Sequence, residues 1–258
     1  MKHFIKTTAI LALASFVSIS HAATNTDPIS PQQKTNIESI VKQYILNNPE
    51  VLVEALQKFQ RKQYEQAEQT VKKTQAIAPQ YAKALFNQAN DPVGGNPKGQ
   101  VTIVEFFDYQ CPHCIDMAPV IDAIIKANSN VRVIYKDFPI RGPLSLLAAR
   151  AGLAANNQGK YVEFNRALLE NKQPISETVI FDIAKQTGVN VEQLKKDMNS
   201  KAIDDQIKAN IKLAQDLKLF GTPAYFIGKT NLADTSNIQY IPGGVDQQQM
   251  QGIIDKVE

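Results

Sequence analysis

An apolar run that gives way to two cysteines constrains this chain more than any other feature: Val101-Thr-Ile-Val-Glu-Phe-Phe-Asp-Tyr-Gln-Cys-Pro-His-Cys114. Val101 to Phe107 is β-branched and aromatic with one interior charge, the pattern of a buried central strand, and the residues after Cys111 read as a helix. A strand therefore delivers Cys111 to a helix N-terminus. There the unpaired backbone N–H groups and the positive end of the helix dipole favour a thiolate over a thiol, which lowers the cysteine pKa and makes it a better leaving group. Only the first cysteine occupies the helix start, so the two are not expected to be equally exposed.

The N-terminus decides how those cysteines are read. Lys2 and Lys6 precede an apolar segment from Thr8 to Ile19, and Ser20-His-Ala22 has a small residue at −3 and alanine at −1. That is the pattern of a secretory signal peptide over residues 1–22. The apolar stretch, about 12 residues, falls short of the roughly 20 that a spanning helix needs. Export places the chain where disulfides persist. Cleavage removes two of 28 basic residues and leaves 26 against 25 acidic ones, so no nucleic-acid partner is expected.

Ser30-Pro-Gln-Gln33 has the form of a capping box with proline at the first helical position. Ile37, Ile40, Val41, Tyr44 and Ile45 then make one apolar stripe. Asn47-Asn48-Pro49 stops this helix and starts another, with Asn48 as N-cap, and Val51, Leu52, Ala55, Leu56 and Phe59 share the face of the second. From Gln60 to Gln75 the composition turns polar, and a solvated helical spacer is expected. Two short amphipathic helices cannot bury their own stripes, since a unit of about 40 residues lacks a sufficient core. Residues 27–78 thus read as a helical arm and stalk whose apolar faces either pack back on the main domain or, as the length and polarity of the stalk favour, pair with their copy in a second subunit, a homodimer through residues 27–75 by the commonest symmetry.

Asp91 to Gly99 is a glycine- and proline-rich lead into a second domain spanning 91–258. Val131 to Asp137 reads as a strand parallel to the first, completing a βαβ unit. Helical patterns follow to about Leu217 and form an insertion over about 143–217. Phe220-Gly-Thr-Pro-Ala-Tyr-Phe-Ile-Gly228 then turns into a short apolar strand, Ile238 to Ile241 makes another, and a helix capped by Asp246 closes the chain. The fold class is α/β, preceded by an all-α segment.

A Cys-X-X-Cys pair has three readings. Zinc needs about four ligands, whereas the mature chain holds Cys111, Cys114 and His113 and no other histidine, because His3 and His21 leave with the signal; no metal is expected. A purely structural disulfide contributes only about 2 kcal/mol across so small a loop. A redox pair at a strand-to-helix junction remains. In it Cys111 is the nucleophile, Cys114 resolves the mixed disulfide, and His113 stabilises the thiolate if cationic or hydrogen-bonding. Glu105, a charge inside an apolar strand, is either an outward-facing edge residue or a buried proton carrier serving Cys114 through water. Thr222-Pro223, between a glycine and a strand, is by pattern a plain turn.

These features together resemble the DsbA family of thiol:disulfide oxidoreductases, within the thioredoxin fold. The resemblance covers about Asp91 to Val257 and rests on Glu-Phe-Phe-Asp-Tyr-X-Cys-Pro-His-Cys, the helical insertion and Gly-Thr-Pro before a strand. It implies that Glu105 matches the family's buried acid, that Pro223 is a cis-proline opposite the active-site disulfide, and that Thr222 lends its backbone to a bound peptide. The N-terminal segment is similar to the oligomerisation regions of ScsC-like proteins and of Com-type surface proteins of intracellular Gram-negative pathogens, on Asn-Pro-Glu-Val-Leu-Val-Glu-Ala at Asn48 to Ala55.

What the resemblance implies is a periplasmic enzyme, membrane association or surface exposure being left open, that oxidises or isomerises disulfides in exported proteins. It needs no cofactor and works with a membrane redox partner. Cys-Pro-His-Cys is the active-site sequence of the family's monomeric oxidase, whereas threonine before the cis-proline and an arm are typical of its dimeric isomerase. The alternative is a non-enzymatic copper-binding or surface-exposed protein, since copper(I) suits two thiolates.

Overall fold

In the computed structural model, which describes residues 29–232 and 235–258, the run Val101–Phe107 is the middle strand of a five-stranded sheet. The strands are β1 (Val93–Gly95), β2 (Val101–Phe107), β3 (Val131–Asp137), β4 (Ala224–Lys229) and β5 (Gln239–Pro242), in the order β1-β3-β2-β4-β5. β2 and β3 are parallel, with Val101 opposite Val131, and β2 and β4 antiparallel, with Val101 opposite Lys229. Every residue of β2 is buried, because helices cover both sheet faces. Val101, Ile103 and Phe107 share a core with Met117, Ile121 and Ile124 of α4 (Pro112–Ala127) and with Met250 and Ile254 of α10 (Gln247–Val257). Val104 and Phe106, pointing the other way, pack with Leu85 and Phe86 of α3 (Ala82–Phe86) and Leu213 of α9 (Lys201–Asp216).

The helical block between β3 and β4 consists of α5 (Pro143–Asn156), α6 (Tyr161–Glu170), α7 (Glu177–Gln186), α8 (Val191–Asp197) and α9. Its starts are set by local chemistry. Ser176, Asn190 and Ser200 each accept a backbone N–H with the side chain at the N-cap of α7, α8 and α9. This is the expected α/β thioredoxin architecture with its helical insertion, preceded by helices.

The chain divides into two compact units at Gln60 and Arg61, inside one long helix. In the first, α1 (Pro31–Asn47) opens on the expected capping box between Ser30 and Gln33, and α2 (Glu50–Ile77) follows. The Asn48 carbonyl accepts from Val51 N at 3.2 Å at the start of the second helix, but among the described residues its side chain gives that helix no cap. Its side-chain amide donates to Tyr44 O at 2.8 Å and closes the first, because the carbonyls at the end of α1 need donors and the asparagine amide is within reach. No residue of α1 is buried, and Ile37, Ile40, Val41, Tyr44, Leu52, Leu56 and Phe59 are all exposed.

In the second unit the last turns of α2 are not a solvated spacer. Thr74 Oγ1 donates to Leu217 O at 2.8 Å, Tyr240 N donates to Gln75 Oε1 at 2.7 Å, and Gln75 Nε2 donates to Ile238 O. The glutamine amide thereby satisfies backbone groups in and just before β5, the outer strand of the sheet. β1 was also unexpected. The glycines read as a loop pair with β3, Gly94 opposite Val133, and a side chain on Gly94 would meet the Tyr135 hydroxyl at 2.9 Å. The signal-peptide pattern of residues 1–22 lies outside the described residues.

Candidate active site

Cys111 is the N-cap of α4, with Pro112 at the first helical position, so the strand-to-helix delivery read from the sequence is realised. Both cysteines are free thiols. The expected difference in exposure is not found: Cys111 is 1% and Cys114 0% exposed. Cys111 is covered because the loop before β4 crosses it, and its thiol donates to Thr222 O at 3.2 Å. The Thr222–Pro223 peptide bond is cis.

What separates the two sulfurs is electrostatics. Burial pushes the Cys111 thiol up, but hydrogen bonds from Thr222, from Cys114 and from the His113 backbone outweigh it and hold the group below its ordinary value. Burial pushes Cys114 far up, and the nearby Glu105 and Cys111 charges add to that. The pair thus contains a ready thiolate and a reluctant one. His113 contributes through its backbone N–H; its side chain is exposed and makes no hydrogen bond among the described residues.

Glu105 is buried at 4% exposure on the central strand, which removes the edge-residue reading. It faces the α4 side of the sheet with Ile103 and Phe107. Burial raises its pKa to about 7, a hydrogen bond from Tyr225 opposes the rise, and the Asp122 charge adds to it. A small cavity of about 10 Å³ borders it, with Asp122, Tyr135, Asn165 and Arg166 among the lining residues, enough for a single water. Arg166 and Asp122 form an ion pair there.

Sequence reasoning missed three residues here. Tyr225 sits opposite Glu105 in the β2–β4 register, and antiparallel pairing counted forward from Pro223 would have found it. Asp108 ends the β2 run and accepts hydrogen bonds from Gln110 N (2.7 Å), Ile140 N (2.7 Å), Arg141 N (2.9 Å) and Ser145 Oγ (2.7 Å). Asp137, fully buried, accepts from the Tyr161 hydroxyl at 2.9 Å and is pushed up to about 8 by burial. Among the described residues no group of three or more histidine, cysteine, aspartate or glutamate side chains could hold a metal, and no helix is long and apolar enough to cross a membrane.

Comparison with known proteins agrees with this geometry. A thioredoxin-like oxidoreductase from Silicibacter pomeroyi is 40% identical, covering 67% of this chain and 95% of that one, with a TM-score of 0.61. ScsC from Proteus mirabilis is 26% identical over 89% of this chain and 96% of that one, at a TM-score of 0.61. A curated sequence from Bacillus cereus described as probable disulfide bond formation protein D is 31% identical over 163 residues, 58% of this chain and 75% of the relative. The curated relatives matched first are Na(+)/H(+) antiporter NhaA chains, such as that of Salinispora arenicola, 23% identical over 157 residues. The match takes in 60% of this chain but only 24% of that relative, so the chain spans about a quarter of the length of those proteins. Residues 33–66 match the copper resistance protein ScsC N-terminal domain. Residues 102–255, more than half the chain, match the DSBA-like thioredoxin domain, and the chain belongs to that family.

Proposed function

We propose that this protein oxidises and isomerises disulfide bonds in exported proteins through Cys111 and Cys114, in the periplasm, with a membrane protein restoring its redox state. The observation that carries the reading is the asymmetry of the two buried sulfurs, one held down by hydrogen bonds and one pushed up by burial.

In the oxidised enzyme a substrate thiolate attacks Cys111 Sγ. The Cys111–Cys114 bond breaks, a substrate–Cys111 disulfide forms, and Cys114 leaves with the electron pair. A thiolate is disfavoured at Cys114, so it takes a proton, and Glu105, whose charge is felt at that sulfur, is the donor through water. A second substrate thiolate then attacks the substrate sulfur of the mixed disulfide and expels Cys111 as the stabilised thiolate. The substrate has lost two electrons and the enzyme pair has gained them. Isomerisation begins from the reduced pair, with Cys111 attacking a wrong disulfide. Thr222 and cis-Pro223, placed against Cys111, hold the peptide by its backbone, and His113 at the helix start assists the thiolate.

Residues 27–78 act as the self-association arm, and 91–258 as the catalytic domain. The arm reading rests on the exposed apolar side chains of α1 and α2 and on the match to the ScsC N-terminal domain. A homodimer through residues 27–75 follows from the commonest symmetry. Export rests on the N-terminal signal pattern.

The test is refolding of a reduced and of a scrambled disulfide protein with the full chain and with Cys111→Ser. Loss of both activities in the variant is expected. Unchanged activity would sink the enzymatic reading and return the cysteines to the copper(I)-binding alternative.

A further inference from the structure

The proton that Cys114 takes up has to reach a fully buried residue, and Glu105, its donor, is itself buried. Once it has given that proton away, the acid must recover one from solvent. Glu105 Oε1 accepts from the Tyr225 hydroxyl, and among the described residues Oε2 accepts no hydrogen bond. A buried carboxylate with an unsatisfied oxygen is costly unless a water serves it.

The cavity of about 10 Å³ bounded by α4, α6 and the sheet has room for that water. Its lining includes Glu105 and Tyr135, both buried, and also Asp122 and Arg166, whose side chains are 17% and 39% exposed, so it joins the acid to the surface. At this mouth Arg166 Nη2 donates to Asp122 Oδ1, and Nε lies against Oδ2. A carboxylate accepts about four donors, so the pair leaves lone pairs on Asp122 for a water. The titratable groups facing Glu105 are Cys114 and Asp122 from α4, Tyr135 from β3, Tyr225 from β4 and Arg166 from α6. Of these, Asp122 is the acid that also meets solvent. An ion pair by itself would be a structural link between α4 and α6; here it closes the outer end of a water site whose inner end is the proton donor.

We propose that this cavity is the proton route between solvent and Glu105: Asp122 is the outer relay, the cavity water carries the proton inward, and Arg166 is a positioning residue that fixes the Asp122 carboxylate at the mouth. This rests on the function proposed above, in which Glu105 protonates Cys114. One proton moves for each reduction of the pair. Cys114 Sγ gains it as the Cys111–Cys114 bond breaks, and Glu105 is left as a carboxylate. Asp122 then picks up a proton from solvent and hands it to the water, which gives one to Glu105. Oxidation of the pair runs the same route outward.

The experiment follows reduction of the oxidised full chain by excess dithiothreitol at about pH 7, by acid quench, in rising concentrations of imidazole buffer. Asp122→Asn keeps the shape and removes the relay, and Ala118→Leu fills the cavity, which Ala118 lines, without changing a charge. Each is expected to slow reduction about tenfold, part of the roughly hundredfold that a positioned proton donor contributes. Imidazolium, a replacement donor at the mouth, restores the Asp122→Asn rate and leaves the plugged Ala118→Leu chain slow. Neither substitution slows a Glu105→Gln chain further. An unchanged rate in either folded variant, or the same fall in the Glu105→Gln background, overturns the proposal. So does an Asp122→Asn loss that imidazole fails to restore, since Asp122 would then act only by its charge on Glu105. If Ala118→Leu does not fold, the imidazole response of Asp122→Asn decides. A Glu105→Gln chain as fast as wild type would defeat the donor role of Glu105 and this route with it, whereas a wild-type chain inert to dithiothreitol would defeat the redox pair itself.

Discussion

Tyr225 donates its hydroxyl to Glu105 Oε1 across 3.0 Å, between residues that stand directly opposite on antiparallel β2 and β4. The bond fixes a buried acid beneath the Cys111–Cys114 pair and offsets part of the cost of burying it. Four other groups bear on this acid from the packed elements: Cys114 and Asp122 on α4, Tyr135 on β3 and Arg166 on α6. Burial is the largest influence on its pKa and leaves Glu105 titrating at about 7, where it can both give and take a proton at neutral pH.

Stability should carry the mark of that titration. The folded-state pKa of Glu105 is raised from 4.5 to about 7, so its stabilising protonated form is fully present below 4.5 and lost as pH rises through 7. Glu105→Gln removes the loss. Denaturant unfolding should show the variant more stable than wild type by about 2 kcal/mol at pH 8, with the gain gone at pH 4. The same variant should slow disulfide exchange at neutral pH, because Cys114 then lacks its proton source. A stability difference that does not vary with pH would contradict the assignment.

Thr222 Oγ1 is buried and has no hydrogen-bond partner among the described residues, yet the Thr222 side chain is among the groups that hold Cys111 down. The hydroxyl is therefore a donor kept for the thiolate. Thr222→Val, nearly the same shape, should slow alkylation of Cys111 at pH 6 by about tenfold, the worth of one hydrogen bond to a charged sulfur, while unfolding is little changed. Unchanged alkylation would mean that the backbone donors suffice.

For the arm, Ile40→Glu with Leu56→Glu places charges on the exposed apolar side chains of α1 and α2. If these side chains are covered by a second copy, each buried unpaired charge costs about 3–5 kcal/mol and the assembly dissociates. Light scattering should then give the mass of one chain, with dithiol oxidation retained and refolding of a scrambled substrate impaired. A wild-type chain that is already monomeric would remove the arm from the mechanism.

The elements that sequence could reveal are those fixed by local chemistry. The capping box at Ser30, the continuous apolar run of β2, the helix start at Cys111 and the cap at Asp246 each depend on neighbours within a few residues. Long-range partners were not visible. Val93–Gly95 looks like a loop because nothing nearby predicts pairing with β3, where Gly94 stands opposite Val133, 39 residues on. Gln75 looks like spacer because its partners, Ile238 and Tyr240, lie 163 and 165 residues on. Cys111 was expected to stand open because its position at a helix start is local, whereas the Thr222 loop that covers it arrives 111 residues later. Of the candidate site, the reactive residues could be named from their types and spacing; Tyr225 and Asp108, which hold them in place, act through register and through a distant loop.

The division of labour between the two cysteines is the centre of this account, and trapping the mixed disulfide tests it most directly. Reduced Cys114→Ser and Cys111→Ser chains would each be mixed with a scrambled disulfide protein, quenched with acid and mapped by mass spectrometry. A covalent adduct on Cys111 in the Cys114→Ser chain, with little or none on Cys114 in the Cys111→Ser chain, is the predicted result. Equal adducts on the two sulfurs, or capture by Cys114 alone, would contradict it.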